Sequence, residues 1–281
     1  MCKTWLSSFN LGRERRRLST GLCFLTFILM GGMLTVTALP LISLFSRHEK
    51  VRETRVLKLI RVCFKGFKRY MQMLGPIATF TVEGHDDIPS LKSCIFIANH
   101  PSLIDVVAVM GYLPLCQCIV KKSLLEHFYL GGLMRAAGYI ANNHEAPKLI
   151  EDCTRSLQSG RSLLIFPEGT RSPARGLRPF NRGAAHIALR TRAPVVPIVV
   201  RCEPPTLLKG EPWHAVPDQP ANIALRFYEP LAIPQQIWDR PSLPLQVRAL
   251  NQYFEDFFCH HLNQMNTPQP TVTRPHPSRN H

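Results

Sequence analysis

The sequence predicts an α/β fold, a mixed β-sheet flanked by helices, preceded by a membrane-embedded helical segment. Three observations carry that expectation. Beyond Gly75-Pro76, short β-branched runs alternate with helical stretches, the pattern of a sheet covered by helices. An uncharged run from Leu18 to Phe45 covers 28 residues rich in Leu, Phe, Ile and Met, where crossing a bilayer takes about 20. The charge is also lopsided: residues 1–75 hold fourteen basic and three acidic side chains, +11 of a total of +15.

The elements follow in order. The apolar run is too long for a cleaved leader and lacks a small-x-small exit, so it is expected to stay in the chain as a spanning helix or a half-inserted hairpin. Gly31-Gly32 and Pro40 interrupt it. From Val51 to Leu74, apolar residues recur every three or four positions with Arg55, Lys58, Arg61, Lys65, Lys68 and Arg69 between them, which predicts a basic amphipathic helix lying on a membrane surface. Strands are expected at Ala78–Val82, Ser93–Ala98, Gln117–Lys121, Ser162–Phe166, Val195–Val200 and Asn222–Tyr228. Helices are expected at Leu103–Met110, Leu124–Ala137, Pro147–Ser159, Asn181–Thr191 and Leu245–Met265. The tail from Thr267 to His281 is Pro-rich with one aliphatic residue and should be disordered. The expected organisation is therefore 1–75 as anchor, 76–266 as α/β domain and 267–281 as tail.

With 281 residues, 45% hydrophobic and 19% charged, the chain is neither a disulfide-stapled miniature nor disordered throughout. The excess of 34 Lys and Arg over 19 Asp and Glu calls for an anionic partner. Because that excess sits on the anchor, the partner is an anionic membrane surface, and nucleic acid is not expected. Nine cysteines, an odd number, scattered through predicted strands and helices fit a reducing compartment. Cys116 and Cys118 lack a second ligand pair. Cys259-His260-His261 lies on a helix, where adjacent side chains diverge by about 100°. No metal or other cofactor is expected.

The chemistry concentrates in two blocks. Asn99-His100-Pro101-Ser102-Leu103-Ile104-Asp105 directly follows a predicted strand. Asp105 in the first turn of the next helix can hold one imidazole nitrogen of His100 while the other faces a cleft, which makes a general base. Ser102 is placed to cap that helix. The second block, Pro167-Glu168-Gly169-Thr170-Arg171-Ser172, follows another strand and sets an acid, a hydroxyl and a guanidinium at a strand's carboxyl end, where α/β sheets bind ligands. Gly169 admits close backbone approach, Arg171 offers a fork for phosphate or carboxylate, and Arg182 adds positive potential at a helix start. No Gly-x-Ser-x-Gly elbow occurs, so an esterase or thioesterase lacks its nucleophile.

Together, NHPSLID and FPEGTRS, about 70 residues apart, resemble the lysophospholipid acyltransferase family that includes 1-acylglycerol-3-phosphate acyltransferases. The likeness covers about residues 80 to 205 and ends on Ala193-Pro194-Val195-Val196-Pro197-Ile198. It implies a glycerol-phosphate acyltransferase-like fold. It also implies that His100, oriented by Asp105, takes the proton from a lipid hydroxyl as its oxygen attacks the thioester of acyl-CoA or acyl-carrier protein. Glu168, Gly169, Thr170 and Arg171 then match positions that hold the acceptor's polar head. The implied location is a membrane with the site on the cytoplasmic face, the inner membrane in a bacterium. One departure stands out: where the family has an Arg closing a Gly-hydrophobic block, this chain reads Gly138-Tyr139-Ile140-Ala141-Asn142-Asn143. Asn143 supplies no charge there, which leaves open lysophosphatidate or a less anionic lyso-lipid or hydroxylated amphiphile, as in ornithine-lipid acyltransferases.

Overall fold

The structure, a computed structural model, describes residues 11–266 apart from 87, 89, 90, 92, 114 and 143–145. The expectations for Asn143 and for the tail beyond residue 266 lie outside the described residues.

Helix α1 (Leu11–Met33) runs through one π-helical turn (Leu34–Ala38) into α2 (Leu39–Leu44). The π turn sits just where Pro40 would clash with the carbonyl four residues back, and widening the helix relieves that clash without breaking it. The chain then reverses into α3 (Glu49–Leu74), which ends on Gly75 in the left-handed conformation, φ 89°. The anchor is thus a helical hairpin. Its third helix buries Val56, Leu57, Ile60, Phe67 and Met71, and points its basic side chains mostly outward.

Seven strands follow: β1 (Ile77–Glu83), β2 (Ile95–Ala98), β3 (Cys116–Lys121), β4 (Ile140–Asn142), β5 (Ser162–Ile165), β6 (Val195–Glu203) and β7 (Ala221–Phe227). They form one sheet in the order β1-β7-β6-β2-β5-β3-β4. Every neighbouring pair is parallel except β6 with β7, so the sheet is mixed, as expected. The six expected strands are present. The seventh, β4, spans three residues, too few to show a period of two.

Side chains alternate between the two faces of the sheet. On one face Phe96, Ala98, Leu164, Val196 and Ile198 meet α4 (Asp105–Met110) together with Cys23 of α1 and Phe67 and Met71 of α3. On the other, Ile95, Ile97, Leu163, Ile165 and Val195 meet α7 (Ala146–Gln158), α8 (Gly183–Thr191) and α10 (Leu243–Asn266). Gly75-Pro76 therefore breaks the chain but not the core, because the hairpin shares its apolar cluster with the sheet. A half-buried network reinforces this docking: Arg161 pairs with Glu53 of α3 at 2.9 Å, and Gln117 donates to the same carboxylate.

The single helix expected over Leu124–Ala137 is two, α5 (Lys122–Leu125) and α6 (Gly131–Ala136). Gly131 lies so close to the Leu125 carbonyl that no Cβ would fit. The intervening loop bends out to lay Tyr129 and Leu130 against Gly32 and Gly31 of α1. A short α9 (Gln235–Trp238) precedes α10.

Candidate active site

The carboxyl ends of β2, β3, β5 and β6 converge on one side of the sheet, and β2 ends in Asn99-His100. Asn99 fastens this end to β6: its amide donates to the Val200 carbonyl at 2.8 Å and its carbonyl accepts from the Val200 N–H at 2.7 Å. His100 is thereby held at the sheet edge.

His100 Nδ1 lies 3.0 Å from Asp105 Oδ2. Asp105 is fully buried, and the same oxygen accepts from the Ser102 N–H at 2.6 Å. The expected cap is therefore inverted. Ser102 does not close α4; instead the Asp105 carboxylate closes the turn that presents His100, and its orientation is fixed by the loop it serves. Burial pushes the Asp105 carboxyl above the ordinary range, opposed by the hydrogen bonds from His100 and Ser102. An acceptor held there assigns the proton to Nδ1 and leaves Nε2 as the basic nitrogen. The His100 ring stacks on Phe166, centroids 4.4 Å apart, so both its edge and its face are fixed.

The second block wraps under the first. Ser172 donates its N–H to the His100 carbonyl at 2.7 Å, which draws the loop after β5 against the loop after β2. Glu168 departs from its expected role. Its carboxylate is buried and accepts from the His100 N–H at 3.1 Å, the Ser172 hydroxyl at 2.6 Å and the Arg178 N–H at 2.9 Å. Glu168 ties the two motifs together and is not a residue of the cavity wall. Gly169 adopts φ 66°, a conformation L side chains rarely take, with Asn181 packed where a Cβ would project.

A cavity of about 900 Å³ opens at His100 and runs beneath α1 and α3. Gly169, Thr170 and Arg171 line it. Arg171 Nη1 donates to the carbonyls of Leu207 and Leu208 at 2.6 and 3.0 Å, which fastens one guanidinium nitrogen to the wall. Arg182 stands exposed at the start of α8, outside that wall. The remaining lining is mostly apolar, with Phe24, Phe27, Phe64 and Phe67 from the hairpin and Cys118, Ile119 and Tyr139 from the domain.

Three further cations line the cavity: Lys121 at the end of β3, Lys209 in the loop between β6 and β7, and Arg16 of α1. Sequence reasoning missed them. Lys121 had a usable signal, since Val120-Lys121-Lys122 ends a predicted strand at the ligand-binding edge. Arg16 and Lys209 had none, because only tertiary packing brings α1 and that loop to the mouth.

A family model described as Acyltransferase matches residues 79–201, which contain both blocks, Asn99 to Asp105 and Pro167 to Ser172. The likeness to that family lies in those residues. A 1-acyl-sn-glycerol-3-phosphate acyltransferase of Cocos nucifera is 30% identical over 187 residues, covering 63% of this chain and 56% of that protein. The one of Escherichia coli K12 is 35% identical over 135 residues, covering 45% of this chain and 55% of that protein. The chain spans about half the length of the curated relatives it matches. Among solved structures, the 1-acyl-sn-glycerophosphate acyltransferase PlsC of Thermotoga maritima shares the fold at TM-score 0.69 and 23% identity, over 91% of this chain and 97% of that one. That likeness in fold takes in the sheet and the helical hairpin before it.

Proposed function

We propose that this protein is a membrane-bound O-acyltransferase that moves a fatty acyl chain from acyl-CoA or acyl-carrier protein to the free hydroxyl of 1-acylglycerol 3-phosphate, giving phosphatidic acid. The observation that carries this reading is the His100–Asp105 pair at the mouth of a long apolar cavity, with Arg171 on the same wall. Nε2 of His100 takes the hydroxyl proton as the oxygen attacks the thioester carbonyl. Asp105 stabilises the resulting imidazolium, the C–S bond breaks, and the proton passes to the departing thiolate. The acyl chains lie in the apolar cavity, and the acceptor's phosphate meets Arg171.

The packing of the anchor favours docking in the plane of one leaflet. Arg13 pairs with Asp218 at 3.8 Å, and Thr35 donates to the Tyr129 carbonyl at 2.9 Å, so the domain holds this helix through both its ends. A helix held along its length by a globular domain does not stand across a bilayer without drawing that domain in. The site is read as facing the cytoplasm, where acyl thioesters are made, and protease accessibility from the opposite side would contradict that.

His100→Ala and Asp105→Asn should each lower acyl transfer at least ~10²-fold in vesicles while the protein stays membrane-bound. Near-normal turnover of His100→Ala would remove the mechanism. Arg171→Ala should raise the apparent KM for the lyso-lipid far more than for the donor. The reverse pattern would move Arg171 to the donor. A panel of lyso-lipids assayed with both thioester donors distinguishes lysophosphatidate from less anionic acceptors.

A further inference from the structure

The loop between β6 and β7, residues 204–220, gathers cations from three places in the chain. Arg171, from the loop after β5, donates to the carbonyls of its Leu207 and Leu208. Arg16, from α1, donates Nε to the Pro217 carbonyl at 3.1 Å and Nη2 to the Asp218 carbonyl. Lys209 belongs to the loop itself, next to Leu208, and its side chain has no hydrogen-bond or ion-pair partner among the described residues. All three line the cavity that opens at His100.

The two arginines are fixed by backbone carbonyls and not by carboxylates, so their charge is held in place without being neutralised. Among the described residues, no Asp or Glu lines the cavity. The loop's own acids, Glu211 and Asp218, are exposed and stand off that wall, and Asp218 pairs with Arg13 at 3.8 Å. A cleft lined by one sign of charge focuses its field on a counter-ion. A phosphate monoester answers it best, because it carries nearly two negative charges near pH 7 and three strong acceptor oxygens, whereas a diester carries a single charge. The adjoining wall is apolar, with Cys23, Phe24, Leu207 and Val216. The matching ligand is therefore an amphiphile with a monoester head. Ser172, one residue after Arg171, donates its N–H to the His100 carbonyl at 2.7 Å, so the cations adjoin the base. An acceptor carries its phosphate a few bonds from its hydroxyl, while a thioester carrier places its phosphates at the far end of a long arm.

The geometry points to Arg16 and Lys209 as specificity residues for the acceptor: with Arg171 they form one phosphate-monoester site, which the anchor helix completes through the β6–β7 loop. The anchor thus lends a side chain to substrate binding in addition to attachment. Asn143 brings no charge to the head group, and this loop makes up the difference. The proposal rests on the acyltransferase reading of His100 and Arg171, and the test keeps the two apart.

Full-length protein in neutral detergent micelles is assayed with two acceptors, 1-acylglycerol 3-phosphate and the phosphodiester 1-acylglycerophosphoglycerol. Lys209→Gln should raise the apparent KM for the monoester about 10-fold with kcat unchanged, and adding Arg16→Gln should raise it further, while the diester shifts less than about 2-fold. Lys209→Arg should restore the lower KM, which a merely structural role would not predict. Equal losses for both acceptors overturn the proposal. Replacing acyl-CoA by an acyl thioester of N-acetylcysteamine, which has no phosphate, assigns the loss to a substrate. A loss that persists keeps the site on the acceptor. One that vanishes, or that falls on the KM for acyl-CoA, overturns the proposal in favour of a donor site. Independently of turnover, calorimetric titration follows binding of 1-alkyl-2-deoxyglycerol 3-phosphate, which lacks the acceptor hydroxyl. Binding weakened about 10-fold by Lys209→Gln upholds the phosphate site even if the monoester is not acylated. Equal binding to both proteins overturns it and leaves the acyltransferase reading standing.

Discussion

Helices α1 and α10 are almost the same length, 23 and 24 residues, and each carries an apolar stripe at helical spacing. In α10 the stripe is Val247, Leu250, Phe254 and Phe258, all buried against the sheet and α8. In α1 it is Leu18, Leu22, Leu25 and Leu29, all exposed, while the helix turns Cys23 and Phe27 to the core and Gly21, Gly31 and Gly32 to the domain loops. One helix completes a core. The other presents a surface that water does not favour and closes one side of a cavity. The same periodicity thus gives two different faces, and the glycines tell them apart: close approach of domain loops at glycine leaves the large side chains exposed.

The comparison breaks most visibly at Phe254. Phe254→Ala should destabilise the fold by about 3–5 kcal/mol, as expected for emptying a packed aromatic site, measured by urea unfolding in detergent. A cost below about 1 kcal/mol would mean α10 is loosely seated.

Next in size is Lys68, on the face of α3 that meets the domain. It is buried, its ammonium lies 3.6 Å from the centre of the Tyr112 ring, and burial, then the charge of Lys65, lowers it to about 8. Between about pH 8 and the ordinary 10.5 the unfolded chain holds a proton there that the folded one lacks, so stability should rise with pH across that window. Lys68→Met should remove that slope and stabilise the protein at pH 7 by up to about 3 kcal/mol. An unchanged slope would mean the ammonium reaches water.

The smallest effect on folding is expected at Leu29. Leu29→Ser should alter stability in detergent by less than about 0.5 kcal/mol, because nothing packs on the exposed side chain. It should nevertheless lower vesicle partitioning roughly 10-fold, the value of one buried Leu. A large loss of stability in detergent would make α1 a second α10.

Much of the fold was legible because it is written in local patterns. β-branched runs bounded by turns marked six of the seven strands among the described residues, and the 28-residue uncharged run marked the long first helix but not its pairing with Glu49–Leu74. The loop inside Leu124–Ala137 was not legible, because helical propensity there yields to the docking of Tyr129 and Leu130 on α1. In the candidate site, His100, Asp105, Gly169, Thr170 and Arg171 were legible in two contiguous blocks, and the fold brings those blocks together. Glu168 could not, since its residue type is equally suited to hold a ligand or to tie loops, and only its three neighbours decide.

What the sequence by itself determined is what neighbours along the chain govern: most of the elements, the strand-end position of His100 and Asp105, and the charge of residues 1–75. Tertiary structure alone decided which stripe is left exposed, that Asp105 caps the loop carrying His100, and that Arg16, Lys121 and Lys209 share one cavity with Arg171. The physical reason is range. Propensity and periodicity act over a few residues, whereas a cavity wall is assembled from segments up to about two hundred residues apart, and no local rule encodes which of them will touch.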